Sequence, residues 1–162
     1  AFASEERVDG YYALFDAVYT QSKIHFDQLT RAFFAAVLRD ASNNGTVFEY
    51  RSTEDQALLG WNLCFEHDGK LIDKYIGLSY PRAREANLYF VSWMVNLEYA
   101  IERGLTHYVA GWTDPEVKAQ LGARFTFTQH AVFIRNPLLR ALGRRFAGHF
   151  ESDRQWSEEP SR

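Results

Sequence analysis

Cysteine is almost absent from this chain. One residue, Cys64, in 162 leaves no disulfide framework to build on and fits a reducing, cytoplasmic setting. It lies in the apolar run Leu58 to Phe65, where a buried, inert thiol is expected rather than a nucleophile. No apolar run reaches the roughly 18 residues of a membrane span, so no transmembrane segment is expected. A basic, apolar leader is missing too. Met94 is the only methionine and the chain opens Ala-Phe-Ala-Ser, which reads as the C-terminal part of a longer protein. There is no Gly-x-Ser-x-Gly and no Gly-x4-Gly-Lys-Ser/Thr, so hydrolase and NTPase chemistry find no support. His67 sits in a hairpin turn, where a solvated side chain is expected; His107 and His130 lie far apart in sequence with no His, Cys or carboxylate at ligand spacing, and no metal is expected. Acidic residues are missing from Val117 to Phe150, a stretch with six cations: Lys118, Arg124, Arg135, Arg140, Arg144 and Arg145.

What is present is apolar and aromatic. Hydrophobic residues make up 46% and aromatic residues 16%, enough for a real core in one domain. The net charge of −3 argues against binding nucleic acid over the whole surface. A single domain is expected over residues 1–150, with residues 151–162 a tail.

Periodicity places the elements. Val8 to Tyr19 and Asp27 to Arg39 have helical spacing, the second with Asp27 as its cap. Thr46 to Tyr50, Ala57 to Phe65 and Leu71 to Leu78 read as strands. His67-Asp68-Gly69-Lys70 joins the last two as an antiparallel hairpin. A long helix is expected from Pro81 to about Arg103, with Gly104 as its stop. Its apolar stripe, Phe90, Met94, Leu97 and Ile101, widened by Leu88, Val91 and Val95, is expected to pack across the sheet. Thr106 to Ala110 follows as a short strand, then a helix from Pro115 to Gln120 closed by Gly122. Phe125 to Ile134 alternates like a strand, and Pro137 to Phe150 forms a basic amphipathic helix with Leu138, Leu142 and Phe146 on one side. The layout is α+β.

Several segments taken in order resemble the GNAT superfamily of N-acyltransferases, in its FemAB-like branch of peptidoglycan aminoacyltransferases and bacterial acetyltransferase-like relatives. They are Asp68-Gly69, Asp73 to Leu78, Asn87 to Phe90, Ala100 to Leu105, Tyr108 to Gly111 and Lys118 to Gly122. The resemblance covers roughly residues 10 to 135. It implies a central, mixed, mostly antiparallel sheet with helices on both faces. It also implies transfer of an acyl or aminoacyl group from acetyl-CoA, another acyl-CoA or a nucleotide carrier to an amine. The acceptor would be a small molecule or a cell-wall precursor, an aminoacyl-tRNA is a possible donor, and a second, N-terminal GNAT-like domain is a possible partner.

Acyl transfer to an amine needs a proton acceptor, an oxyanion donor and a grip on the carrier. Asp73, Glu66 and Glu49 are candidate acceptors, and Tyr75 or Tyr108 a candidate acid. Backbone amides from Tyr75 to Leu78 suit the oxyanion. Gly77, Arg82, Arg84, Asn87, Lys118 and Gly122 are the candidate carrier-binding residues. The turn from Gly77 to Arg84 lacks the paired small residues that cradle a pyrophosphate in CoA-binding members, and no acid tyrosine stands between Glu116 and Arg124. A domain that keeps the fold without the chemistry would instead work through its basic helix, docking on a partner domain or an anionic membrane face. Trp112 and Thr113 would form a cleft lip or a staple over the core.

Overall fold

The computed structural model describes residues 3–22, 28–111, 115–126 and 133–146. The chain divides into two compact units, Ala1–Gly111 and Trp112–Arg162.

The first unit opens with α1 (Glu5–Gln21) and α2 (Arg31–Arg39). The hydroxyls of Ser4 and Thr30 accept from the amides of Arg7 and Phe33, so each helix begins at a hydroxyl cap. Thr30 takes the capping place expected of Asp27, which lies outside the described residues. Arg31 reaches Glu5 and Asp9, and Arg39 reaches Glu5, clasping the two helices.

Four strands follow in the sheet order β1 (Gly45–Arg51), β2 (Leu58–His67), β3 (Lys70–Leu78), β4 (His107–Val109). The first three pair antiparallel, and β4 joins β3 in parallel through a helical crossover. Asp68 and Gly69 both take positive φ, 49° and 67°, as a two-residue hairpin turn requires. Strand alternation sends Trp61 and Leu63 to the α1–α2 face with Tyr11 and Phe34, and Asn62 and Cys64 to the opposite face.

One irregularity in β3 governs the site. Leu63 faces Tyr75 while Cys64 faces Asp73, so Lys74 is an extra, bulged residue. Asp73 and Tyr75 would share a face in a regular strand. The bulge turns Asp73 toward the crossover helix, while Tyr75 packs edge-on against Phe33 and Phe34 of α2.

The helix expected from Pro81 to Arg103 is two helices, α3 (Arg82–Glu85) and α4 (Leu88–Glu102). Asn87 separates them in a left-handed conformation, φ 49°, which asparagine tolerates better than most residues. Gly104, φ 66°, closes α4: its amide bonds to Ile101 and that of Leu105 to Ala100. The facing of α4 also departs from expectation. Phe90, Val91, Met94 and Ile101 are exposed, whereas Leu88, Ser92, Trp93, Asn96 and Ala100 are buried.

The second unit contains α5 (Pro115–Gln120) and α6 (Pro137–Phe146). Gly122, φ 80°, ends α5, with Ala123 bonding back to Lys118 and Gly122 to Ala119. Most of the strand expected from Phe125 to Ile134, the end of the last helix and the tail from Glu151 lie outside the described residues. No helix among the described residues is long and apolar enough to cross a membrane.

Candidate active site

β4 pairs only with the start of β3: Val109 stands opposite Ile72, the residue before Asp73. At the place where the two parallel strands part, a polar cluster fills the space under α4. The Tyr108 hydroxyl donates to Asp73 Oδ2 at 2.8 Å. Asn96, from the buried side of α4, donates to the same oxygen and to the Tyr108 hydroxyl oxygen, each at 3.1 Å. Asn62 of β2 donates to Asn96 Oδ1 at 3.1 Å and to Asp73 Oδ1 at 3.4 Å, and accepts from the Tyr50 hydroxyl at 2.8 Å. The bonds form a directed chain, Tyr50 to Asn62 to Asn96 to Asp73. Both asparagines are fully buried, and the cluster leaves neither short of a partner.

The environment sets what the acids can do. Burial, reinforced by the charge of Asp73, pushes the Tyr108 phenol well above its ordinary value. Tyr108 therefore stays protonated and serves as a hydrogen-bond donor to Asp73. Burial and Asp73 likewise raise Cys64, which is fully buried and unsuited to nucleophilic work. The other two candidate acceptors are held by neighbours. Glu66 accepts from the Tyr99 hydroxyl at 2.6 Å and pairs with Arg103, which lowers its carboxyl. Burial pushes the Glu49 carboxyl up, but bonds from Tyr11 and Arg51 outweigh it and leave it below its ordinary value.

The candidate carrier-binding residues are scattered. Gly77 is buried against α1: a Cβ there would stand 2.2 Å from Trp61 Nε1 and 2.9 Å from Leu14 Cβ, so its smallness serves close packing. Arg82 forms a two-pronged bond with Asp55, 2.9 and 3.1 Å. Arg84 lies over the Tyr80 ring, 5.3 Å from its centroid, with no carboxylate paired to it among the described residues. Asn87 is the left-handed cap of α4. Lys118, buried, and Gly122 belong to the second unit. The structure thus brings together Asp73 and Tyr108 and sets Tyr75 on the other face.

Sequence reasoning missed Asn62, Asn96 and Tyr50. A signal existed for one of them: Asn96 lies with Ser92 and Ala100 at spacings of four, a small and polar line through an otherwise apolar helix. An open depression of about 580 Å³ lies away from this cluster, at the hairpin end of the sheet, lined by Thr46, Glu66, His67, Tyr99 and Arg103 among others. Its charged walls are already paired with each other. Among the described residues no three His, Cys, Asp or Glu side chains stand close enough to hold a metal.

The fold thus sets a carboxylate and a phenol side by side at the end of its parallel strand pair, beneath the crossover helix. The sequence matches the acetyltransferase (GNAT) domain family over residues 1–119, and the protein belongs to that family. No curated protein matches the sequence. Among solved structures, an acetyltransferase of Trypanosoma brucei is similar at 13% identity with a TM-score of 0.57, over 83% of this chain and 97% of that one. A tetramutant of the BH1408 protein of Bacillus halodurans aligns at 11% identity and TM-score 0.59, over 83% and 98%. A ribosomal-protein-alanine N-acetyltransferase of Brucella melitensis biovar Abortus 2308 aligns at 13% and 0.53, over 83% and 98%. At such identities the likeness is one of fold, and that fold is the GNAT-like α+β arrangement, a mixed four-stranded sheet flanked by helices.

Proposed function

We propose that this domain is an N-acyltransferase of the FemAB-like branch, working in the cytoplasm and moving an acyl or aminoacyl group from a CoA or nucleotide carrier to an amine. The observation that carries the reading is the meeting of Asp73, Tyr108 and Asn96 where β3 and β4 part. A bound acyl-CoA would supply the activated carbonyl. Asp73 would take the proton released as the amine nitrogen bonds the acyl carbon and the bond from that carbon to the carrier's sulfur or oxygen breaks, and would return it to the departing thiolate or alkoxide; Asn96 and Tyr108 aim its carboxylate. Tyr108 keeps its own proton and donates a hydrogen bond. Tyr75, packed under α2, has no chemical part in this scheme.

The residues present fit a carrier in one respect and resist it in another. Arg84 has no acidic partner among the described residues and suits a phosphate, whereas Arg82 is already neutralised by Asp55. Asn87 remains a carrier contact by resemblance, as Lys118 and Gly122 do within the second unit, whereas Gly77 is buried against α1. The neutralised Arg82 and the turn without paired small residues favour a second reading, a recognition domain that keeps the fold alone.

A thermal-shift titration with acetyl-CoA and CoA tests the first reading with a CoA carrier. Ligand at about 100 times its dissociation constant adds about 2.7 kcal/mol, visible as several degrees. We expect a saturable shift that Arg84→Ala weakens about tenfold and Arg82→Ala leaves in place. No shift at millimolar ligand would exclude a CoA carrier. Loss of the response in Arg82→Ala with Arg84→Ala unaffected would overturn the sorting of the two arginines.

A further inference from the structure

We propose that α6 is a membrane-docking helix that lies on an anionic lipid surface. The proposal is independent of the acyl-transfer reading, because α6 lies beyond the stretch, residues 1–119, that matches the family. It starts from how the helix is covered. Arg140 donates from Nε to the Ile134 carbonyl at 2.9 Å, and a Cβ on Gly143 would stand 3.0 Å from Ile134 Cδ1. Residues 133 and 134 therefore run along the Arg140–Gly143 side.

The opposite side carries Leu138 and Leu142, one turn apart, with Leu139 next to them. All three are exposed, at 80%, 55% and 56%. Arg145, also exposed, projects on the same side by helical spacing, and Arg135 stands exposed just before the helix. An isolated exposed leucine needs no explanation; three together on one side of a two-and-a-half-turn helix do.

The charge around this strip identifies its occupant. From Val117 to Phe150 the chain holds six cations and no carboxylate. Of these, Arg145 and Arg135 stand exposed beside the leucine strip, whereas Arg140 lies on the covered side and Lys118 is buried; the two beside the leucines have no carboxylate between Val117 and Phe150 to quench them. Leucines that enter the acyl boundary while arginines stay at the headgroups make the usual pattern of an interfacial helix. An anionic bilayer meets both demands over one flat face. A protein partner would have to match the leucines with an apolar strip and the arginines with acids, and would leave the chain in solution with anionic vesicles.

Sedimentation of the full chain with vesicles tests this. The lipids are phosphatidylcholine alone and phosphatidylcholine with about a third phosphatidylglycerol. The protein should pellet with the anionic vesicles and stay in solution with the neutral ones. Raising salt from about 0.1 to about 0.5 M should release it, as shortening the screening length weakens surface attraction. Arg145→Ala should weaken partitioning about fivefold, the worth of one arginine at an anionic surface. Leu138→Gln with Leu142→Gln should abolish pelleting while circular dichroism and thermal unfolding match the parent chain, since glutamine keeps the helix and both sites are exposed. No pelleting of the parent chain with anionic vesicles overturns the proposal. So does pelleting that the leucine variant or added salt leaves unchanged.

Discussion

Replacing Asn96 by alanine is the most incisive perturbation of this fold. The side chain makes three bonds from a fully buried position: it donates to Asp73 and to Tyr108 and accepts from Asn62, each at 3.1 Å. The bond to the carboxylate is worth about 1.5–3 kcal/mol and each neutral one about 0.5–1.5. The neighbours are not all orphaned. Asn62 still reaches Cys64 at 3.1 Å, and Tyr108 still donates to Asp73. The expected loss therefore sits near the lower end of that sum, about 3 kcal/mol. Urea unfolding should register it as a lower midpoint at constant slope, and heating as a fall on the order of 10 °C.

Two controls give the number meaning. Glu98→Ala, on the exposed side of the same helix, should stay within about 0.5 kcal/mol. Asn96→Ala and Tyr108→Phe act on one carboxylate, so their costs should not add; a coupling of about 1 kcal/mol or more is expected. A loss under about 1 kcal/mol for Asn96→Ala, or strict additivity with Tyr108→Phe, would refute the view of this cluster as a connected unit. Should the cluster also serve acyl transfer, Asp73→Asn should abolish turnover while the acetyl-CoA thermal shift persists.

Gly77→Ala should cost about 3 kcal/mol or more, because its Cβ would lie 2.2 Å from Trp61 Nε1 and 2.9 Å from the backbone nitrogen of Phe15. A neutral result in urea unfolding would mean that α1 is free to move off β3. Cys64 should resist thiol reagents in the native state even at mildly alkaline pH, since burial and Asp73 raise it far above its ordinary value of 9.0. A raised value keeps the thiol protonated, so the reactive thiolate appears only on unfolding, and labelling should follow the fraction unfolded. Rapid labelling of the folded chain would contradict that placement.

Much of the scaffold was legible because it rests on local chemistry. Asp68-Gly69 specifies the hairpin, Gly104 and Gly122 the helix ends, and the order of elements the fold. The site was legible in half. Asp73 and Tyr108 stood out as strand residues with useful groups, but their meeting depends on the bulge at Lys74. That bulge is a property of the β2–β3 register, and nothing in the composition of either strand marks it. The same bulge is why Tyr75, two residues from Asp73, faces the other way. Arg82 and Arg84 look equivalent along the chain; only the fold brings Asp55, 27 residues away, onto the first and sets the second over the Tyr80 ring, with no carboxylate beside it among the described residues.

The facing of α4 is where pattern reasoning failed most fully, and the failure is informative. Hydrophobic periodicity pointed to Phe90, Met94, Leu97 and Ile101, widened by Leu88, Val91 and Val95, as the buried stripe, each worth about 1.5–3 kcal/mol when fully removed from water. Leu88 is buried and Val95 and Leu97 are half-buried, but Phe90, Met94 and Ile101 stand exposed at 42%, 49% and 76%, while Ser92 and Asn96 are buried. Rotation of α4 by about half a turn would bury those three but expose Leu88, Trp93 and Ala100, which are buried now. It would also strip Asp73 and Tyr108 of Asn96 and leave a half-buried carboxylate facing leucine and methionine, at a cost of several kcal/mol. Apolar residues lie on both sides of the helix, and the polar cluster decides which side turns inward. Conflicts between local pattern and final fold are expected to concentrate at sites with a task. Here the conflict lies on the residues that surround Asp73, where β3 and β4 separate.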